Sequence, residues 1–104
     1  MRSGDIIRVD FGPGTEGEPS GERPAVVVMS DELLGLRAVV VVPCTTTRRG
    51  WEFEVDVEGF GVAQGHLVST IGCGRIVAEE QANVGPVALA QLREILALVL
   101  GIES

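Results

Sequence analysis

The sequence contains no lysine, one histidine and two cysteines, and none of its apolar runs is long enough to cross a membrane. Two cysteines are too few for a disulfide scaffold or a zinc cage, and a single histidine excludes a histidine-rich metal site. The longest apolar runs end near Val42 and Leu100, short of the about 20 residues that a membrane helix needs. The first residues lack the apolar stretch of a secretory signal. These absences predict a cytoplasmic protein that needs no metal ion or other cofactor.

Familiar catalytic motifs are missing as well, because the sequence has no P-loop, no paired-cysteine zinc motif and no serine nucleophile elbow. Of the 104 residues, 45% are hydrophobic, and the mean hydropathy is +0.31. That composition is too apolar for an intrinsically disordered chain, and the length suffices for one hydrophobic core. We therefore expect residues 1–104 to form a single domain.

Charge is distributed unevenly along the chain. All eight basic residues are arginine, whose permanently charged, forked guanidinium suits phosphate groups. Residues 1–50 hold seven acids and six arginines, for a net charge of −1, whereas residues 51–104 hold eight acids and two arginines, for a net charge of −6. The total of −7 argues against a general nucleic-acid-binding protein. An anionic ligand is therefore expected to bind to the first half.

Short strand patterns separated by turn residues dominate the first 80 residues. Residues 12–22, rich in glycine, proline and glutamate, predict a long exposed loop, and residues 45–50 predict a second polar loop. Alternation of apolar residues with acids across 51–58 predicts a strand with one solvent-exposed face. The predicted strands are 5–11, 24–29, 38–44, 51–58, 62–63, 67–71 and 74–78.

A single amphipathic helix is predicted near the C-terminus. Gly85-Pro86 is a favourable helix start, apolar residues then repeat at spacings of three and four, and Gly101 is a suitable terminator. The apolar stripe widens toward the helix end, which one small sheet would not cover, so we expect a homodimer. The fold class is therefore mainly β with a C-terminal α-helix: five to seven mostly antiparallel strands in a curled sheet or small barrel.

Two polar positions are expected to meet at one edge of this sheet. Arg23 precedes one buried strand and Thr45 follows the next, so antiparallel pairing of the two strands would place them on the same rim, near Arg48 and Arg49. A guanidinium, hydroxyl groups and backbone N–H groups suit a phosphodiester. In the alternative interpretation, Arg23 pairs with a nearby glutamate and the threonines only cap a turn.

Several motifs at these positions resemble the MazF/PemK-type toxins. The residues that carry the resemblance are Gly4-Asp5, Val9-Asp10-Phe11-Gly12-Pro13, Gly21-Glu22-Arg23-Pro24-Ala25-Val26-Val27, Val42-Pro43-Cys44-Thr45-Thr46 and Gly50-Trp51-Glu52-Phe53-Glu54-Val55. The resemblance covers almost the whole chain. It implies a small SH3-like barrel of the MazF/CcdB type that forms a homodimer, cleaves single-stranded RNA at a short sequence without a metal ion, and is neutralised by a cognate MazE-like antitoxin.

The resemblance also implies roles for individual residues. The two residues tied to cleavage correspond to Arg23 and Thr45, and the glutamate of the preceding loop corresponds to Glu18. The basic residue before the loop glycine corresponds to Arg49. The residues expected to contact the RNA backbone are those of the second polar loop, namely Thr46, Thr47, Arg48 and Arg49.

Metal-free RNA cleavage needs a group that accepts the proton of the attacking 2′-hydroxyl. A guanidinium does not normally lose its proton in proteins, so Arg23 is suited to stabilising charge rather than to acting as the base. Glu18 and His66 are the two candidates for the proton carrier. Trp51 stands beside the second loop, and packing in the sheet is favoured there over stacking on a base.

Two alternative functions fit the same fold. The first is a non-catalytic toxin of the CcdB type, which binds DNA gyrase through its terminal helix. The second is a degenerate homologue that binds antitoxin but no longer cleaves RNA. The net charge of −7 motivates the second alternative, because phosphate contacts supply much of the affinity in complexes with nucleic acids. The near-neutral first half of the chain reduces this objection to RNA cleavage without removing it.

Overall fold

The computed structural model describes residues 1–102, and within them seven strands precede one α-helix. The elements are β1 (Asp5–Asp10), β2 (Glu22–Val27), β3 (Ala38–Thr45), β4 (Glu54–Val57), β5 (Gly61–Gln64), β6 (Ser69–Gly72), β7 (Ile76–Asn83) and α1 (Gly85–Val99). Single 3₁₀ turns lie at Asp31–Leu33, Gly65–Leu67 and Cys73–Arg75. The predicted class, mainly β with a C-terminal helix, is confirmed.

All strand pairs are antiparallel, and the strand order is β4-β5-β3-β2-β1-β7. Strand β3 is the centre of the fold, because it pairs with β2, with β5 near its C-terminal end, and with β6. Its apolar run Val39-Val40-Val41-Val42 therefore packs against other residues on both faces of the sheet. The path from β4 to β7 does not close on itself in the part of the chain described, so the sheet is open.

Two hydrophobic clusters flank the central strands. Because successive side chains point to opposite faces, Val26 and Val42 pack on one side with Leu92 of α1, and Val27 and Val41 pack on the other. Leu92 is fully buried and anchors the helix to the sheet. Each face of the sheet is therefore packed, and the polar ends of the strands lie at its edges.

The predicted helix start and stop are confirmed. Pro86 occupies the first helical turn, where its missing N–H costs nothing, and Gly101 follows the helix with a φ of +71°. Within residues 1–102 no helix is both long enough and apolar enough to span a membrane. Cys44 lies in the core, and burial raises the pKa of its thiol to about 12, so it remains an uncharged packing residue.

Several predicted strand boundaries were wrong. The strand predicted over 51–58 is confined to Glu54–Val57, because residues 52–53 form a turn that leads into β4. The predicted strand 67–71 begins with the 3₁₀ turn Gly65–Leu67, and β7 extends well beyond the predicted 74–78. Strand β7 pairs with β1 across two register shifts, which interrupt the regular pattern that a sequence prediction depends on.

Candidate active site

The ends of β2 and β3 form one rim of the sheet. Their register pairs Ala25 with Pro43 and Val27 with Val41. Continued by two residues, that register sets Arg23 opposite Thr45, as the sequence predicts. The Thr45 hydroxyl accepts a hydrogen bond from the backbone N–H of Thr47 at 3.2 Å, so this threonine also closes the turn that follows β3.

Beside this rim lies an open cavity of about 360 Å³. It is formed by the glycine-rich loop, the start of β2, the loop between β3 and β4, and the end of β5 with the following turn. The lining residues are Gly17, Glu18, Pro19, Arg23, Arg49, Trp51, Gln64, His66 and Leu67. The structure thus brings four of the predicted site residues, Glu18, Arg23, Arg49 and His66, to one cavity.

Arg23 is oriented by two neutral acceptors. Its Nε donates to the Ser20 carbonyl at 3.1 Å and its Nη1 donates to the Gln64 Oε1 at 3.4 Å. Among residues 1–102 it makes no ion pair, since Glu22 contacts Arg8 at 3.7 Å and Glu18 accepts from the Thr15 hydroxyl at 2.6 Å. The alternative in which a neighbouring glutamate neutralises Arg23 is therefore wrong. Its charge remains available to an anionic ligand.

Gln64 is a site residue that the sequence analysis missed. Its side chain is 8% exposed and holds Arg23 at the cavity. The available signal was its place in β5, where it shares a face with buried Val62, because a buried carboxamide needs a polar partner.

His66 lies in the 3₁₀ turn after β5 with its ring among aromatic side chains. The centroids of its ring and the Phe53 ring are 4.2 Å apart, and the Trp51 ring lies nearly perpendicular to it with a centroid distance of 5.5 Å. Its Nδ1 is buried and has no hydrogen-bond partner among the described residues. Burial lowers the pKa of His66, nearby Arg49 lowers it further, and Glu54 opposes the shift. The imidazole is therefore neutral at pH 7 and able to accept a proton.

The turn between β3 and β4 is organised by Glu54. Its carboxylate accepts hydrogen bonds from the backbone N–H groups of Arg49, Gly50 and Trp51 at 2.8 to 3.2 Å. Trp51 is 39% exposed and lies under the Arg49 guanidinium, which is 4.8 Å from the ring centroid. The preference for Trp51 as a residue packed in the sheet is wrong, because this turn lifts it out of β4 to the edge of the cavity.

The remaining predicted RNA-contacting residues lie outside the cavity. Thr46 and Thr47 are exposed on the turn after β3. Arg48 is exposed and forms an ion pair with Asp56 of β4. Their roles stay predictions. Together, a fixed guanidinium, a carboxamide and a neutral imidazole around one open cavity can bind a phosphate and accept a proton from a hydroxyl.

The family of PemK-like, MazF-like toxins of type II toxin-antitoxin systems matches residues 2–100. The chain belongs to this family. It is 35% identical to the endoribonuclease toxin MazF of Escherichia coli strain K12, over 94% of this chain and 92% of that one. The crystal structure of MazF from Deinococcus radiodurans matches with a TM-score of 0.87 at 25% identity, covering 97% of this chain and 96% of its own. The MazE-MazF complex of the same organism matches with a TM-score of 0.82 at 25% identity, covering 99% and 98%.

The match extends over every element that forms the site of this MazF/PemK toxin. Residues 2–100 include the glycine-rich loop, both strands of the rim and the turn that carries Arg49 and Trp51. The elements that form the cavity therefore all lie within the region that matches the family.

Proposed function

We propose that this protein is the toxin of a type II toxin-antitoxin system and that it cleaves single-stranded RNA without a metal ion. The observation that carries the proposal is the unneutralised Arg23 guanidinium, held by Gln64 in an open cavity beside Thr45. Endoribonuclease activity in the relative from Escherichia coli, which is 35% identical, supports it.

In the proposed reaction the ribose 2′-hydroxyl attacks the adjacent phosphorus. A bond forms between the 2′-oxygen and phosphorus, and the bond from phosphorus to the 5′-oxygen of the next nucleotide breaks. The products are a 2′,3′-cyclic phosphate and a 5′-hydroxyl. Arg23 stabilises the charge that accumulates on the phosphorane, and the Thr45 hydroxyl polarises a non-bridging oxygen. These interactions lower the barrier without a metal ion.

The proton of the 2′-hydroxyl needs an acceptor, and the leaving 5′-oxygen needs a donor. His66 is the stronger candidate for the acceptor, because burial keeps its imidazole neutral and it lines the same cavity as Arg23. Glu18 also lines the cavity, with its carboxylate hydrogen-bonded to the Thr15 hydroxyl. We assign acceptance of the 2′-proton to His66, and the imidazolium that forms returns this proton to the leaving 5′-oxygen. Glu18 is the residue to be tested beside it.

We further propose that residues 1–104 form one toxin domain, which acts as a cytoplasmic homodimer and is bound by a MazE-like antitoxin. The match to the MazE-MazF complex supports the partner. Exposed apolar residues on and after α1 support a second copy of the chain, namely Val87, Leu98, Leu100 and Ile102.

The proposed function is tested by primer extension on a long RNA of mixed sequence, incubated with the protein in excess chelator. The wild-type protein is expected to produce discrete cuts that identify the recognition sequence. Arg23→Ala is expected to lower the cleavage rate by about a thousandfold, since it removes the charge that stabilises the phosphorane. Equal cutting by both proteins, or cutting that requires a divalent ion, would contradict the proposal. Intact RNA with the wild-type protein would instead indicate a homologue that has lost its activity.

A further inference from the structure

Glu54 is an acidic residue inside a region that would bind an anion. It is one of four acids in the segment 51–58 of a chain whose net charge is −7. By charge alone it should weaken RNA binding. Its contacts indicate a different role, because its Oε1 accepts from the N–H groups of Gly50 at 2.8 Å and Trp51 at 3.1 Å, and its Oε2 accepts from the N–H of Arg49 at 3.1 Å.

These hydrogen bonds fix the backbone from which two cavity residues project. Three N–H donors converge on one carboxylate, an arrangement that is stronger than neutral hydrogen bonds and that an amide oxygen reproduces only in part. Arg49 and Trp51 both line the cavity, and they contact each other through the cation–π pair. The Glu54 carboxylate therefore determines where a guanidinium and an indole meet the proposed substrate.

We propose that Arg49 and Trp51 form a subsite for one nucleotide next to the scissile linkage, and that Glu54 is the positioning residue that fixes this subsite. The proposal rests on the proposed function, since it requires RNA in the cavity that holds Arg23. Arg49 contributes a charge to the phosphate and Trp51 a π-surface to the base. Trp51 can offer such a surface because it is 39% exposed, and its ring packs perpendicular to the His66 ring with the centroids 5.5 Å apart.

The proposal and simple electrostatics predict opposite effects of Glu54→Gln on the affinity for RNA. Glu54→Gln removes one negative charge, which alone would strengthen RNA binding. If Glu54 positions the subsite, the same change weakens binding, because the turn loses its charged acceptor. Glu58→Gln is the matched control: Glu58 is exposed in the same acidic segment and makes no hydrogen bond or ion pair with residues 1–102. Its substitution should leave binding unchanged or slightly tighter.

The test uses a dye-labelled 2′-O-methyl oligonucleotide that copies the sequence cut most rapidly by the wild-type protein and that lacks the attacking hydroxyl. Fluorescence anisotropy is expected to show about tenfold weaker binding for Glu54→Gln than for the wild type. Trp51 is the only tryptophan and the chain has no tyrosine, so its emission reports on the subsite directly. Quenching by the oligonucleotide is expected in the wild type and in Glu58→Gln, and is reduced in Glu54→Gln.

Glu54→Gln binding within twofold of the wild type, or tighter, would overturn the proposal. Circular dichroism checks that each variant is folded. Should Glu54→Gln be unfolded, Trp51→Leu tests the subsite, because its exposed ring is not needed for the core; unchanged affinity in that variant would equally overturn the proposal. Failure of the proposed function and failure of this inference give different results. An inactive wild-type protein refutes the proposed function. An active wild-type protein whose Glu54→Gln variant binds RNA equally well refutes only this inference.

Discussion

Arg23 shows how the surroundings of one residue decide what it can do. Its neighbour Glu22 is engaged by Arg8, and its own hydrogen bonds go to the Ser20 carbonyl and the Gln64 carboxamide. Neutral acceptors orient a guanidinium without cancelling its charge, whereas a carboxylate would compete with a phosphate for it. The cation is thus held in place before any substrate binds.

His66 predicts how cleavage depends on pH. A neutral imidazole accepts the 2′-proton, so the cleavage rate should fall as the pH drops through the pKa of His66, which burial places below the ordinary 6.5. His66→Gln should be slower above this pH and should lose that decrease. The measurement is the single-turnover rate of both proteins between pH 5 and pH 8. If the two proteins showed the same dependence of rate on pH, His66 would not be the proton acceptor. Glu18→Gln would then be the variant to examine.

The pH dependence of the free energy of unfolding tests the lowered pKa of His66 independently of cleavage. Because the pKa of His66 is lower in the folded chain than in the unfolded one, the unfolded state binds more protons between these two values. The free energy of unfolding should therefore fall as the pH decreases through that window, and by less in His66→Gln. Urea unfolding at pH 7.5 and pH 5.5 measures the difference.

Two residues of the site followed from the order of the strands alone, and two were missed. Arg23 and Thr45 followed from the order of two buried strands, because antiparallel register alone sets them on one rim. Glu54 was assigned to a solvent-exposed face, since its alternation with apolar residues gives no sign that the preceding turn bends back onto it. Gln64 was passed over because a single polar residue in a short strand resembles a strand end.

At the scale of elements, Gly61 allows the start of β5 to lie against the end of β3. Gly61 has a φ of +89°, and a Cβ there would overlap the Thr45 carbonyl oxygen. Any side chain at this position would press on the backbone of Thr45 at the rim. The contact connects the packing of two strands to the geometry of the candidate active site.

Gly61→Ala is therefore expected to lower the free energy of unfolding by about 3 kcal/mol, combining backbone strain with displacement of β3. Gly59 is the matched control, because it has a φ of +83° and a Cβ added there would meet no atom within 4 Å. Gly59→Ala should cost about 1 kcal/mol, the strain alone. Urea unfolding gives both values. Equal losses would show that β5 does not lie close enough to β3 at this position to exclude a side chain.

Element types were more predictable than element boundaries. The helix over Gly85–Val99 follows from a proline at its start, a glycine at its end and apolar spacing between them. Strand β4 is shorter than its alternating pattern because the turn before it is determined by contacts of Glu54 with residues three to five positions earlier. Strand β7 is longer because bulges opposite β1 allow it to continue past irregular positions.

At the scale of the whole molecule, the charge distribution agrees with the position of the cavity. The net charge is −7, and most of the excess lies in residues 51–104. The arginines that line the cavity, Arg23 and Arg49, both come from the first half. In so acidic a chain, RNA binding depends on the accurate placement of these two arginines. Gln64 is inferred to place Arg23, and Glu54 is inferred to place Arg49.

The most direct test of the proposed chemistry uses two RNA oligonucleotides that differ only at the ribose preceding the cut, one unmodified and one 2′-deoxy. Both are incubated with the wild-type protein in excess chelator, and the products are identified by mass spectrometry. Only the unmodified oligonucleotide is expected to be cleaved, leaving a 2′,3′-cyclic phosphate and a 5′-hydroxyl. Cleavage of the 2′-deoxy oligonucleotide would contradict the proposed mechanism, because the attacking group would then not be the neighbouring hydroxyl.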